Sequence, residues 1–124
     1  MNKYRDKSDF EINCQVLATF EPDIKHMCLS NDEKSFYHCG FDGNRFYETT
    51  IPDYCNNPAD AMPIIFDNNI SLILSHKEYP LATNNPSGLF MDSLPPENVV
   101  TNKNPLRAAM ELFLMMKDAE NEKV

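Results

Sequence analysis

Apolar positions along this chain recur in two rhythms, one helical and one alternating, separated by proline and asparagine punctuation. Ile12, Val16, Leu17 and Phe20 follow one another at helical spacing. Just ahead, "SDFE" at 8–11 offers Ser8 as an N-cap with Glu11 three residues on, the spelling of a capping box. Pro22 ends this first predicted helix, because its ring clashes with a continuing turn.

The next apolar runs are shorter. "KHMCLS" (25–30) and "SFYHCGF" (35–41) flank the polar "NDEK", which predicts a strand pair. Asp42-Gly43 is a tight-turn signal, since glycine tolerates positive φ, and Arg45–Thr50 resumes as a third strand of an antiparallel meander. "ISLILSH" (70–76) is apolar nearly throughout and reads as a central strand. Residues 83–104 hold three prolines among many turn formers, which predicts a long loop with an edge strand at 88–92.

The stretch "DYCNNPADAMPIIFDNN" (53–69) poses a specific problem. A helix beginning at Pro58 behind an Asn57 cap traps Pro63 inside it, at a cost of about 3 kcal/mol. A cap at Asp60 instead puts Pro63 in the first turn, where its missing N–H has no intrahelical acceptor to serve. The expectation is therefore one turn at 57–60, then a short helix from Ala61 to Asp67, closed by asparagines that accept a left-handed conformation.

The final helix is spelled most clearly. Asn104 is its cap and Pro105 its first residue. Eight of the nine residues from Ala108 to Met116 are apolar, with Glu111 the exception. Such a helix needs cover on several sides. Leu112, Met115 and Met116 lie off the main stripe, so either the first helix or a second subunit must shield them. The fold class expected is α+β: a small α-β-α sandwich, an antiparallel sheet of four to five strands with three helices, in a single domain over 1–124 whose ends (1–7 and 119–124) fray.

Composition narrows the function classes. At 124 residues and 42% hydrophobic, one domain with a real core is expected. No apolar run approaches the roughly 18 residues of a membrane span, and the charged N-terminus is unlike a secretory signal, so a cytoplasmic setting is expected, with Cys14, Cys28, Cys39 and Cys55 as thiols. Nineteen acidic against 11 basic residues give a net charge of −8, which disfavours direct contact with nucleic acid. That charge suits a soluble surface, or an acidic face that competes for a nucleic-acid-binding partner.

Candidate chemistry is sparse. His26, Cys28, His38 and Cys39 suggest zinc, but His38 and Cys39 are adjacent in a strand and point to opposite faces, so no metal is expected. Cys55 has polar neighbours and no cation to activate it as a nucleophile. Phosphate-cradling glycine loops and hydrolase motifs are missing. No cofactor and no catalytic residue is therefore named. Arg107 stands out in the first turn of the last helix, where the helix dipole disfavours a cation. Its partner is Glu111 one turn on, or a carboxylate of the 53–60 segment (Asp53 or Asp60), or a ligand anion. Tyr54, Asn56, Asn57, Asp60 and Arg107 are the candidate ligand- or partner-binding residues. Amides suit base edges and an arginine suits a phosphate, so a nucleotide-like small molecule is one ligand class for them.

"DYCNNPADAMPIIFDNNISLI" and "NPLRAAMELFLMMKDA" together are similar to the NinX family of phage proteins, from the nin-region accessory genes of lambdoid phages and related prophages. That family pairs a "YCNNPADAWPII" segment with an "NPLRAAMxxFLMM" helix after an amphipathic N-terminal helix, and this chain departs at Met62, where tryptophan is usual. The two motifs cover about a third of the chain. The resemblance assigns no catalytic or ligand residue. It implies a phage accessory protein in the host bacterial cytoplasm, and its order of elements resembles small phage α-β-α sandwiches. The expected role is a non-enzymatic binder of a host protein or protein complex, for example a CRISPR-type defence complex. A nucleotide-signal sponge is the alternative, and a homodimer the possible assembly.

Overall fold

The structure is a computed structural model that describes residues 2–38, 48–75, 78–85 and 98–122. Helix α1 (Asp9–Phe20) starts where its capping residue predicts, with Ser8 Oγ accepting the Glu11 N–H. Ile12, Val16 and Leu17 are buried, while Phe20 is half exposed and stacks on Phe113 at 5.8 Å between ring centroids. Pro22 converts the chain to a 3-10 turn (Pro22–His26).

Strands β1 (Cys28–Leu29), β2 (Ser35–Tyr37) and β3 (Glu48–Thr50) form the expected antiparallel meander, with Leu29 opposite Phe36 and Phe36 opposite Thr49. The turn between β1 and β2 is tied by Ser30, whose Oγ accepts from the N–H groups of Lys34 and Ser35, and Glu33 takes a left-handed φ of 58°. The Asp42-Gly43 turn and the beginning of the third strand lie outside the described residues.

Helix α2 (Pro58–Asp67) corrects the sequence expectation. Asn57 is its cap, its Oδ1 accepting from Ala59 N–H at 3.0 Å, and Pro63 does sit inside it. The bond lost is the one Pro63 would have made to the carbonyl of Ala59. Pro63 and Ala59 are both exposed, so that carbonyl is left on the solvent side, where water can serve it. Well-made ends hold the helix despite the gap. At the C-terminus Asn69 adopts φ 54°, Ile70 N–H reaches Ile65 O, and Asn69 N–H reaches Phe66 O. That is a Schellman closure with Ile65 and Ile70 both buried beside it.

Beyond α2 come β4 (Ser71–Ile73), β5 (Leu81–Thr83), β6 (Val99–Thr101) and helix α3 (Pro105–Glu122). The described strands make two three-stranded antiparallel sheets, in orders β1-β2-β3 and β4-β5-β6, instead of one sheet of four to five strands. The apolar β4 is an edge strand, and the central position belongs to β5, whose three residues are all buried. Strand β6 lies inside the region expected to be a loop. Both β5 and β6 are too short for a two-residue period to show in the sequence. The edge strand expected at 88–92 lies outside the described residues.

Helix α3 is the centre of the fold. It contacts β5 and β6 as well as α1 and α2, so the elements gather around a helix and not around a single flanked sheet. Every residue from Arg107 to Leu114 is buried. Within one chain, then, Leu112 is covered completely, and Met115 and Met116 pack partly buried against the core. From α2, Ala61, Ile64 and Ile65 enter this core and Met62 packs at its margin, but Phe66 does not: it is 70% exposed. The apolar run from Ala61 to Phe66 spans more than one face of a helix, so part of it must point outward. Tyr4 is buried with its hydroxyl donating to Asp118, and α3 continues helical to Glu122.

Candidate functional site

The helix starts of α1, α2 and α3 meet in one polar knot. Asn104 caps α3, its Oδ1 accepting from Leu106 N–H at 3.0 Å and Arg107 N–H at 3.4 Å. Its Nδ2 turns the other way and donates to the carbonyl of Cys55 at 2.6 Å and to Asn56 Oδ1 at 3.0 Å. Asn56 Nδ2 donates in turn to Asp53 Oδ1 and to Asp9 Oδ2, and Asp9 is the first residue of α1. Asn13, buried one turn further along α1, accepts from Cys55 N–H and donates to Asp53 Oδ1, both at 3.1 Å. Asp60 Oδ2 reaches back to the N–H of Asp53. Asn57 and Asp60 thus satisfy free backbone N–H groups.

Arg107 completes the knot with all three of its nitrogens. Nε donates to Glu111 Oε2 at 2.6 Å, and Nη1 donates to Asp9 Oδ1 at 2.6 Å. Nη2 donates to the carbonyls of Tyr4 at 3.0 Å and Lys7 at 2.6 Å, with Arg5 O further off at 3.5 Å. The local pairing with Glu111 is therefore real, but the distant carboxylate is Asp9 and neither Asp53 nor Asp60. Burial works against the charge, yet the hydrogen bonds to Asp9 and Glu111 prevail and hold the guanidinium above its ordinary pKa. These two carboxylates also offset the helix dipole that disfavours a cation in the first turn of α3. Glu111 is 1% exposed and takes its second bond from Asn2 Nδ2 at 2.6 Å.

The five candidate residues are thus placed plainly. Asn56, Asn57, Asp60 and Arg107 stand together around the 53–60 turn or against it, each engaged in the bonds above. Tyr54 is buried, and burial followed by the charges of Asp60 and Glu21 raises its phenol. Asp9, Asn13, Asn104 and Glu111 share the site without having been singled out as site residues. Two left a signal: Asn13 interrupts the apolar stripe of α1 and Glu111 interrupts that of α3, and a polar residue on a buried face requires a partner.

Cys55 is fully buried, and burial, reinforced by Asp9, pushes its thiol up to about 12. At neutral pH it is a protonated packing group. Cys14 is also a free thiol, raised by burial and by Glu33. Cys28 is disulfide-bonded, which corrects the expectation of four thiols; Cys39 lies outside the described residues. Among the described residues no three His, Cys, Asp or Glu side chains gather as metal ligands, and no helix is long and apolar enough to cross a membrane.

The knot joins the N-terminal segment to the 53–60 turn and the last helix, the two parts of the chain that carry the family motifs. A family model described as "Bacteriophage P22, NinX" matches residues 3–117. The chain belongs to the NinX family. No match was found among curated proteins or among solved structures. The NinX match takes in Asp9, Asn13, Asp53, Asn56, Asn104, Arg107 and Glu111, so the whole knot except Asn2 falls within the family segment. Met62, where the resemblance calls for tryptophan, is half-buried at the margin of the core. A larger ring there has room to extend toward solvent.

Proposed function

We propose that this NinX-family chain is a non-enzymatic phage accessory protein that binds and modulates a host macromolecule, with a defence nuclease complex as the favoured class of target. One observation carries the reading: the polar side chains of the knot are spent on one another and on backbone groups. Arg107, Asn56, Asn104 and Asp53 hold three helix starts together, and recognition is left to the outer surface. That surface is acidic, with a chain charge of −8, which suits a partner that itself presents cations to nucleic acid. The buried, protonated thiol of Cys55 supports binding over catalysis.

The test is affinity capture from bacterial lysate with the tagged full chain, followed by reconstitution with the purified candidate. A host protein that co-elutes at fixed stoichiometry, with affinity falling as salt rises, supports the proposal. Failure to retain any host protein above background, across lysates from defence-bearing strains, removes it.

A further inference from the structure

On an acidic chain, one surface concavity is lined without a carboxylate. A cleft of about 360 Å³ is bordered by Arg5, Tyr79, Thr101, Asn102 and Lys103. Its walls come from three separated segments that the fold fixes against each other. Arg107 grips the carbonyls on both sides of Arg5 and so holds that residue at the rim. Asn102 N–H donates to Pro80 O at 3.1 Å, seating the residues before α3 beside Tyr79. Leu81 and Thr101 are paired in register in the β5–β6 ladder.

The lining is rich in donors. Lys3, Lys7, Arg107 and Lys117 each pair with a carboxylate; Arg5 and Lys103, like Lys25 and Lys34, form no ion pair among the described residues, and of these four it is Arg5 and Lys103 that border the cleft. Both are exposed. Asn102 spends its Oδ1 on Asn104 N–H, which leaves its amide N–H groups available, and the Thr101 hydroxyl is a further donor. Tyr79, 41% exposed, adds an aromatic face. Arg5 and Lys103 border one concavity and make it a local positive patch on an acidic chain, where an anion is the complementary guest.

We propose that this cleft binds a nucleoside monophosphate, the phosphate held by Arg5 and Lys103 and the base laid on Tyr79. The cleft volume is within the range of small-ligand sites, roughly 300–1,000 Å³. Guanidinium and ammonium groups suit a phosphate, and an aromatic face accepts a base of any sequence identity. This site is distinct from the polar knot, whose arginine is already occupied, and it stands whether or not a host protein is captured.

The experiment is calorimetric titration of the full chain, at low salt, with the four ribonucleoside monophosphates, adenosine and inorganic phosphate. At least one monophosphate is expected to bind, more tightly than phosphate or adenosine. Arg5→Gln and Lys103→Gln should each weaken it about ten-fold, the loss of one charge-assisted contact. Tyr79→Ala should also weaken it, and Lys25→Gln, an equal change of net charge away from the cleft, should leave it unchanged. Circular dichroism melts should show all four variants folded, since these side chains are exposed. Absence of heat at millimolar nucleotide overturns the proposal, as does binding indifferent to the Arg5 and Lys103 changes. Phosphate or adenosine binding as tightly as the nucleotide also overturns it.

Discussion

The side-chain amide of Asn104 donates to the main-chain carbonyl of Cys55 at 2.6 Å, so the residue that caps the last helix also clasps the turn leading into α2. The two jobs use different atoms and are separable. Asn104→Ser keeps a capping oxygen but removes the Nδ2 donors, and should cost about 1–2 kcal/mol by leaving the Cys55 carbonyl unserved. Asn104→Ala loses both and should cost about 2–4 kcal/mol. Urea denaturation of the two variants separates the contributions; equal losses would mean that the cap adds nothing to the clasp, and an undamaged Asn104→Ser would mean that the clasp contributes nothing.

Arg107 and Glu111 form a buried pair; removing Arg107 strands Glu111, whereas removing Glu111 leaves Arg107 with Asp9. Arg107→Met should cost about 3–5 kcal/mol, and Glu111→Leu less. The double variant should be less damaged than the sum, because neither charge is then left alone. A double-mutant cycle by chemical denaturation reads this directly, and additive losses would show the pair to be uncoupled. The Asp9 contact should contribute less than the Glu111 contact, since Asp9 is partly exposed and screened by water.

Ile65 and Phe66 are neighbours in sequence with opposite fates, 3% and 70% exposed. Ile65→Ala should cost about 2–5 kcal/mol through the cavity it leaves. Phe66→Ser should stay within about 0.5 kcal/mol of the parent. Thermal melts of the two variants check the orientation of α2, and a large loss from the Phe66 change would place that face inside the core.

Alkaline pH should unfold the protein through its buried acids. Cys55 ionises near 9.0 in its ordinary state and near 12 in the fold, so above pH 9 the unfolded chain gives up a proton that the native state keeps. The stability it contributes is complete below 9 and is lost as pH rises toward 12. Tyr4, raised above 10.0 by burial and by Asp118, steepens the same decline. Urea midpoints at about pH 8 and about pH 11 should differ, and Cys55→Ala should shrink the difference. A variant with an unchanged slope would mean that the thiol is not the titrating group.

The sequence by itself determined the features that depend on residues within about four positions of one another. Ser8, Asn104 and Pro105 mark helix starts, Asn69 marks a helix end, and "NDEK" marks a turn, because each satisfies backbone groups one turn away. It also carried the family, through two motifs spelled almost without departure. Tertiary structure decided whatever required a choice among distant partners. Pro63 was admitted into α2 because both ends of that helix are well closed, a balance that proline's local cost cannot reveal. The division of the strands into two sheets was not legible, because strands of two or three residues carry too little pattern to identify their neighbours. Arg107 had three carboxylates open to it on paper, and the fold gave it Glu111 one turn along together with Asp9, 98 positions away. Charge and reach limit what a buried guanidinium needs, but only the packing of α1 against α3 determines which carboxylate is close enough to supply it.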